Sequence, residues 1–223
     1  LLSILVCLVM YSIINWIRGK RHPRAAYRAP DSQRIQRLEA DAAARLKSRS
    51  KEWLMLEDYH FHTKVSPAGT VSLQETTRQL QAALIELLSH VHILPNVKLE
   101  VTDDPAKLVN DNAAGEYSHS SFQKVIRVLV KPGDSGEYLL SVLCHETSHY
   151  ILYSLGINDP DSDWNEGLTD VTACLIGFSE TMIRAKLNRN PPYLNVPEFE
   201  QVRKLLLPRR AALQKEKEQA AAL

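Results

Sequence analysis

The chain has 223 residues and a formal charge of +1, with charged side chains at 24% of positions, a length that suits one globular domain with an appendage rather than two full domains. Acids and bases are interspersed and leave no broad cationic face, which argues against a nucleic-acid groove. The three cysteines, Cys7, Cys144 and Cys174, lie far apart in apolar helical patterns without C-x-x-C spacing, so no disulfide framework is expected.

Residues 1–17, LLSILVCLVMYSIINWI, carry no charge and run straight into RGKRHPR. As a helix this stretch rises about 25 Å against a hydrocarbon core of about 30 Å. The chain opens without methionine, and residues upstream are expected to complete the span. A cleaved signal peptide is the rival reading. Against it stand the missing small-residue cleavage pattern and a basic cluster on the wrong side. The expectation is a single-pass membrane helix touching lipid, with Arg18, Lys20, Arg21 and Arg24 marking its cytoplasmic flank and the remainder facing the cytoplasm. The absence of any Asn-x-Ser/Thr acceptor agrees with a domain that never enters a secretory lumen.

Residues 18–50 read as basic flank, Pro-bounded linker and an exposed helical stalk, the last from DSQRIQRLEADAAARLKSRS. A globular domain is expected over 51–197. In it, Ser72 and Glu75 form a capping box for a helix over 72–91, which Pro95 ends. VKLEVTDD then alternates Val97, Leu99 and Val101 with charged residues as a half-buried strand. AAGEYSHSSFQKVIRVLVK suggests a strand pair or a kinked strand. A helix over 135–155 stops at Gly156, and a second long helix is expected over 164–187. Residues 198–223 read as a charged C-terminal helix.

The chemistry lies in the last two helices of the domain. In HETSH, His145 and His149 are four apart and share a helix face, so both can offer an imidazole nitrogen to one ion. Glu146 sits about 100° round the helix, beside such an ion rather than on it, placed to take a proton from a water. This pattern arises by chance about twice in a hundred sequences of this composition, so a third ligand is required. WNEGLTDVTACLIGF supplies Glu166, the first acid inside a strongly patterned helix, whose burial calls for a cationic partner. Asp170, one turn on, can accept from the other nitrogen of a histidine. Ala173 and Gly177 on the same face are small enough for close approach of the two helices. Two histidines, a glutamate and a water make the open set of a catalytic zinc site. The rival reading with the same ligands is a zinc-bound module that binds partners without turnover. Cys144 and Cys174 read as core packing. His60 and His62 alternate on an extended stretch and stay unassigned. Tyr117, His119, Tyr150 and Tyr193 are all possible donors to a developing oxyanion.

HETSH followed by NEGLTD resembles the gluzincin signature of thermolysin-like zinc metallopeptidases over residues 138–180, with 16 residues between His149 and Glu166. The resemblance implies an α+β zincin-like domain with a small mixed sheet and long active-site helices, following the transmembrane helix. It implies Zn2+ held by His145, His149 and Glu166, with Glu146 as general base and Asp170 and Asn165 supporting the histidines. It favours His119 among the donors, because the AAGEY strand would border the cleft and hold a peptide or protein substrate by strand addition. The expected activity is hydrolysis of peptide bonds.

Overall fold

The computed structural model describes residues 31–47, 53, 56, 58–110, 113–120, 122–159, 161–186 and 194–221. The apolar stretch 1–17 and its basic flank lie outside them. Among the described residues no helix is long and apolar enough to cross a membrane.

The fold is α+β with a small mixed sheet. Helices α1 (Ser32–Lys47) and α2 (Leu73–His90) precede strand β1 (Lys98–Thr102), and β2 (Gly115–His119) and β3 (Lys124–Leu129) follow. Then come α3 (Gly136–Ser154), α4 (Ser162–Ala173), α5 (Ser179–Lys186) and α6 (Val196–Ala221). The strand order is β1-β3-β2, with β1 parallel and β2 antiparallel to β3. One sheet face packs on α2 and α3, and α4, α5, α1 and α6 form a further layer beyond α3. The other face carries charge: Arg127 donates to Glu100 at 2.8 Å and to Glu116 at 2.9 Å.

Local signals hold where they depend on local chemistry. Ser72 Oγ accepts from the Glu75 N–H, and Ser135 Oγ accepts from Tyr138 N–H at the start of α3. Only half of the capping box forms, because the Glu75 carboxylate turns to Arg78 and Gln79 instead. Gly156, φ +71°, follows the last turn of α3 as expected.

Two elements differ from expectation. Helix α1 is no exposed stalk: Ile35, Leu38, Ala42 and Leu46 are fully buried, and burying each of the larger three is worth about 1.5–3 kcal/mol. Its buried Glu39 meets Arg209 of α6 at 2.8 Å. The long helix expected over 164–187 is interrupted by a π-helical segment, Cys174–Phe178, in which Gly177 takes φ +102°. The carbonyls that this segment turns outward find donors elsewhere: His90 Nε2 on Ile176 O at 3.1 Å, and Tyr59 N–H on Gly177 O at 2.7 Å. Gly177 therefore serves the kink rather than a close approach of helices. The close approach occurs at Gly167, over which Leu38 of α1 is seated.

Candidate metal centre

The ligand side chains come from α3 and α4, which pack side by side. His145 Nε2 and His149 Nε2 stand 3.2 Å apart, and each lies 3.1 Å from Glu166 Oε2. Four ligands placed tetrahedrally at about 2.0 Å from zinc have edges of about 3.3 Å, so this triangle has the size of one face of a zinc coordination shell. Among the described residues this is the one group of His, Cys, Asp and Glu side chains close enough to share a metal ion. The side chains are 14%, 16% and 24% exposed, so the group is partly reached by solvent.

Tautomers follow from the outer partners. Asp170 Oδ1 lies 2.8 Å from His145 Nδ1 and, as an acceptor, fixes the hydrogen there. Thr169 Oγ1 lies 3.1 Å from His149 Nδ1 and spends its own hydrogen on Asn165 O at 2.8 Å. The hydrogen between Thr169 and His149 therefore belongs to the imidazole. In the neutral rings both Nε2 atoms are unprotonated and converge with a carboxylate oxygen, an arrangement that requires a proton or a cation at its centre. The residues present fit a metal ion.

The charge state of the metal-free site agrees. Burial alone pulls the His145 pKa down, but hydrogen bonds to Asp170 and Glu166 more than reverse it, and the pKa stands well above 6.5. Burial pushes Glu166 up, and the two histidines outweigh it, holding the carboxyl well below its ordinary range. In the metal-free protein His145 thus contributes stability in full below pH 6.5, and loses it as pH rises through the raised pKa. A metal must displace that proton. Metal affinity is therefore expected to climb with pH above neutrality while the thermal midpoint of the metal-free protein declines over the same window. Competition with a chromophoric chelator across that range checks it, and a flat affinity would refute it.

Glu146 lies on the neighbouring face of α3 and is 6% exposed. Burial raises its pKa, with His145 and His149 opposing, which moves a carboxylate toward the range useful for proton transfer. Strand β2 rests directly on it. A Cβ built on Gly115 would fall 2.7 Å from Val142 Cγ1 and 2.9 Å from both Cγ and Oε1 of Glu146. Gly115→Ala is expected to push the carboxylate aside and leave metal content intact; should the site be catalytic, it is expected to lower turnover by about 10²-fold, as a displacement of about 1 Å does. Metal stoichiometry and rate on the same preparation test this; unchanged turnover would mean that β2 does not fix Glu146.

Other sequence candidates fall elsewhere. Asn165 does not support a histidine with its side chain, which accepts from Asp159 N–H at 3.3 Å; Thr169, one turn further along α4, takes that role. A threonine four residues after a residue whose carbonyl it can bond was the available signal. Asp170 does stand behind His145, and its second oxygen accepts from Leu194 N–H at 3.1 Å, tying the site to the chain entering α6. His119 stacks on Tyr153 with ring centroids 3.7 Å apart. It is four residues from Gly115, about 13 Å along the strand, and is not brought to the triad. Tyr117 is nearer, and burial pushes its pKa to about 12, keeping it a donor. Tyr150 leans toward Leu94 O at 3.5 Å, and Tyr193 and Cys7 lie outside the described residues. Cys144 and Cys174 are buried in the core. His60 stands 3.7 Å from Glu180, and the His62 backbone N–H bonds to Glu86, so the two do not converge.

The loop into α4 is held by α1: Arg45 bridges Asp41 at 2.7 Å and Asp159 at 3.2 Å, and Trp164 Nε1 donates to Asp41 at 3.1 Å. Compared with protein-family models, curated proteins and solved structures, the chain matches none. The likeness to gluzincins therefore rests on the two helices described above.

Proposed function

We propose that the chain is a zinc-dependent metallopeptidase of the gluzincin type with a zincin-like fold, tethered to a membrane by residues 1–17 with its domain in the cytoplasm. The observation that carries the reading is the convergence of His145 Nε2, His149 Nε2 and Glu166 Oε2 at zinc-sized separations. A zinc ion there supplies polarisation of a peptide carbonyl and an acidified water, of pKa about 7. Glu146 takes the proton of the attacking water and delivers it to the leaving amine. Its burial beside the triad favours catalysis over a purely structural site, which has no use for a buried carboxylate beside the ion.

Strand β2 supplies a place for the substrate backbone. Leu129 N–H bonds to Ala114 O at 2.9 Å and Ser120 N–H to Gln123 O at 2.8 Å. With the register of β2 on β3, this directs the N–H and C=O of Gly115, Tyr117 and His119 to the outer edge, where among the described residues they meet no strand. An extended peptide can pair with that edge above the metal.

The test is zinc content together with hydrolysis of an unbiased peptide library by the metal-loaded protein, lost on chelation and restored by zinc. Protease added outside intact cells is expected to leave the domain uncut, because the basic flank follows the apolar stretch. Cleavage from outside would invert the orientation.

A further inference from the structure

One end of the sheet, where β1 and β3 begin and β2 ends, carries the two most exposed large apolar side chains among the described residues: Leu94, 85% exposed, and Phe122, 99% exposed. They project from the loop entering β1 and from the β2–β3 turn. These segments meet across a cavity of about 430 Å3 lined by Pro95, Val97, Lys98, Phe122 and Lys124. Single exposed apolar residues are ordinary, whereas Phe122, which lines this cavity, and Leu94, next in sequence to its lining residue Pro95, make up a patch. The charge beside them is basic. No acid is among the lining residues, which include Lys98 and Lys124. On the adjoining strands Lys98 and Arg127 pair with the carboxylates of Glu100 and Glu116, two cations to two anions, while Lys124 reaches Ser154 at 3.4 Å and lies over the Tyr150 ring, which leaves Lys124 as the surplus cation.

We propose that this end of the sheet lies on an anionic lipid surface, with Leu94 and Phe122 seated among the headgroups and Lys98 and Lys124 at the lipid phosphates. A protruding aromatic and a leucine flanked by lysines match the composition of interfacial lipid-binding surfaces. Lysines there keep their stems along apolar surface and their ammonium groups in the polar layer. So small a patch holds a free protein weakly. A tether at the same membrane raises its effective concentration and makes weak docking sufficient. The proposal rests on the membrane-tether reading of residues 1–17. Docking would orient the domain, since the same end carries His119 and Tyr153 at the close of the substrate edge.

The full 223-residue chain is reconstituted into lipid nanodiscs of phosphatidylcholine alone or with phosphatidylserine added. A polarity-sensitive fluorophore is attached at Phe122→Cys, or at Val109→Cys at the opposite end of the sheet, where Val109 is 81% exposed. Both are made in a Cys7→Ser background, and Cys144 and Cys174 are buried from the reagent. The expected result is a blue shift and quenching by bromolipid at position 122 and not at 109, stronger with phosphatidylserine. It is lost in Lys98→Glu/Lys124→Glu and in about 1 M salt, where screening acts over about 3 Å. If the chain enters the discs and position 122 stays as wet as 109, the docking surface is overturned and the tether stands. If the chain never enters the discs, both fall. A signal indifferent to phosphatidylserine and to the double charge reversal overturns the anionic-lipid assignment.

Discussion

His145→Ala, His149→Ala and Glu166→Ala are each expected to leave the purified protein without the stoichiometric zinc of the proposed site. In that proposal three side chains supply the whole protein share of the coordination shell, so no spare ligand takes over. The two histidines and Glu166 make their mutual contacts at 3.1–3.2 Å, and removing any one leaves the other two facing each other around an incomplete shell. Asp170→Ala acts differently. It keeps all three proposed ligands but removes the carboxylate that meets His145 Nδ1 and the Leu194 N–H, with an expected ten- to hundredfold loss of affinity, as outer partners of metal ligands cost. Metal analysis after dialysis against a calibrated chelator separates the two classes. Full zinc retention by Glu166→Ala would remove the gluzincin assignment, because Glu166 is the residue that distinguishes it.

The site was legible where the signal was a spacing on one helix. His145 and His149 had to share a face, Glu146 had to sit beside it, and Asp170 had to lie one turn from Glu166. The link between two helices was not legible. Whether Asn165 or Thr169 meets His149 depends on how α4 is rotated against α3, and Leu38 of α1 on Gly167 helps to set that rotation. The role of α1 was hidden because its many charges suggested a solvated helix. Yet Ile35, Leu38, Ala42 and Leu46 already recur at helical spacing, and the structure shows that stripe buried while Glu39 is neutralised by Arg209. The π-helical segment had no local mark beyond Gly177. Its extra residue is tolerated because His90 and Tyr59, distant in sequence, supply donors for its carbonyls. The place of His119 after a strand favours it as a donor, yet the strand's own length of about 3.3 Å per residue carries it past the triad.

Glu146→Gln separates a peptidase from a zinc-bound interaction module, which would present the same three ligands. The substitution preserves length and hydrogen-bonding reach, touches no ligand, and removes the basic oxygen. Because Glu146 is buried against Gly115 and Val142 with almost no free volume, an isosteric amide also keeps the β2 edge in place. A smaller side chain would let the strand settle inward. The variant is therefore expected to keep zinc and thermal stability while losing about 10² to 10⁴ in turnover on the peptide library, the usual cost of a missing general base. Stability has a reason to rise slightly, since burial already penalises the charged carboxylate. Substrates still have the β2 edge to pair with, so a library peptide is expected to remain bound to the variant and be recoverable intact. If wild type and Glu146→Gln are equally inert across peptide classes in the presence of zinc, and capture the same peptides equally, the catalytic assignment falls and the metal centre remains as the support of a binding surface.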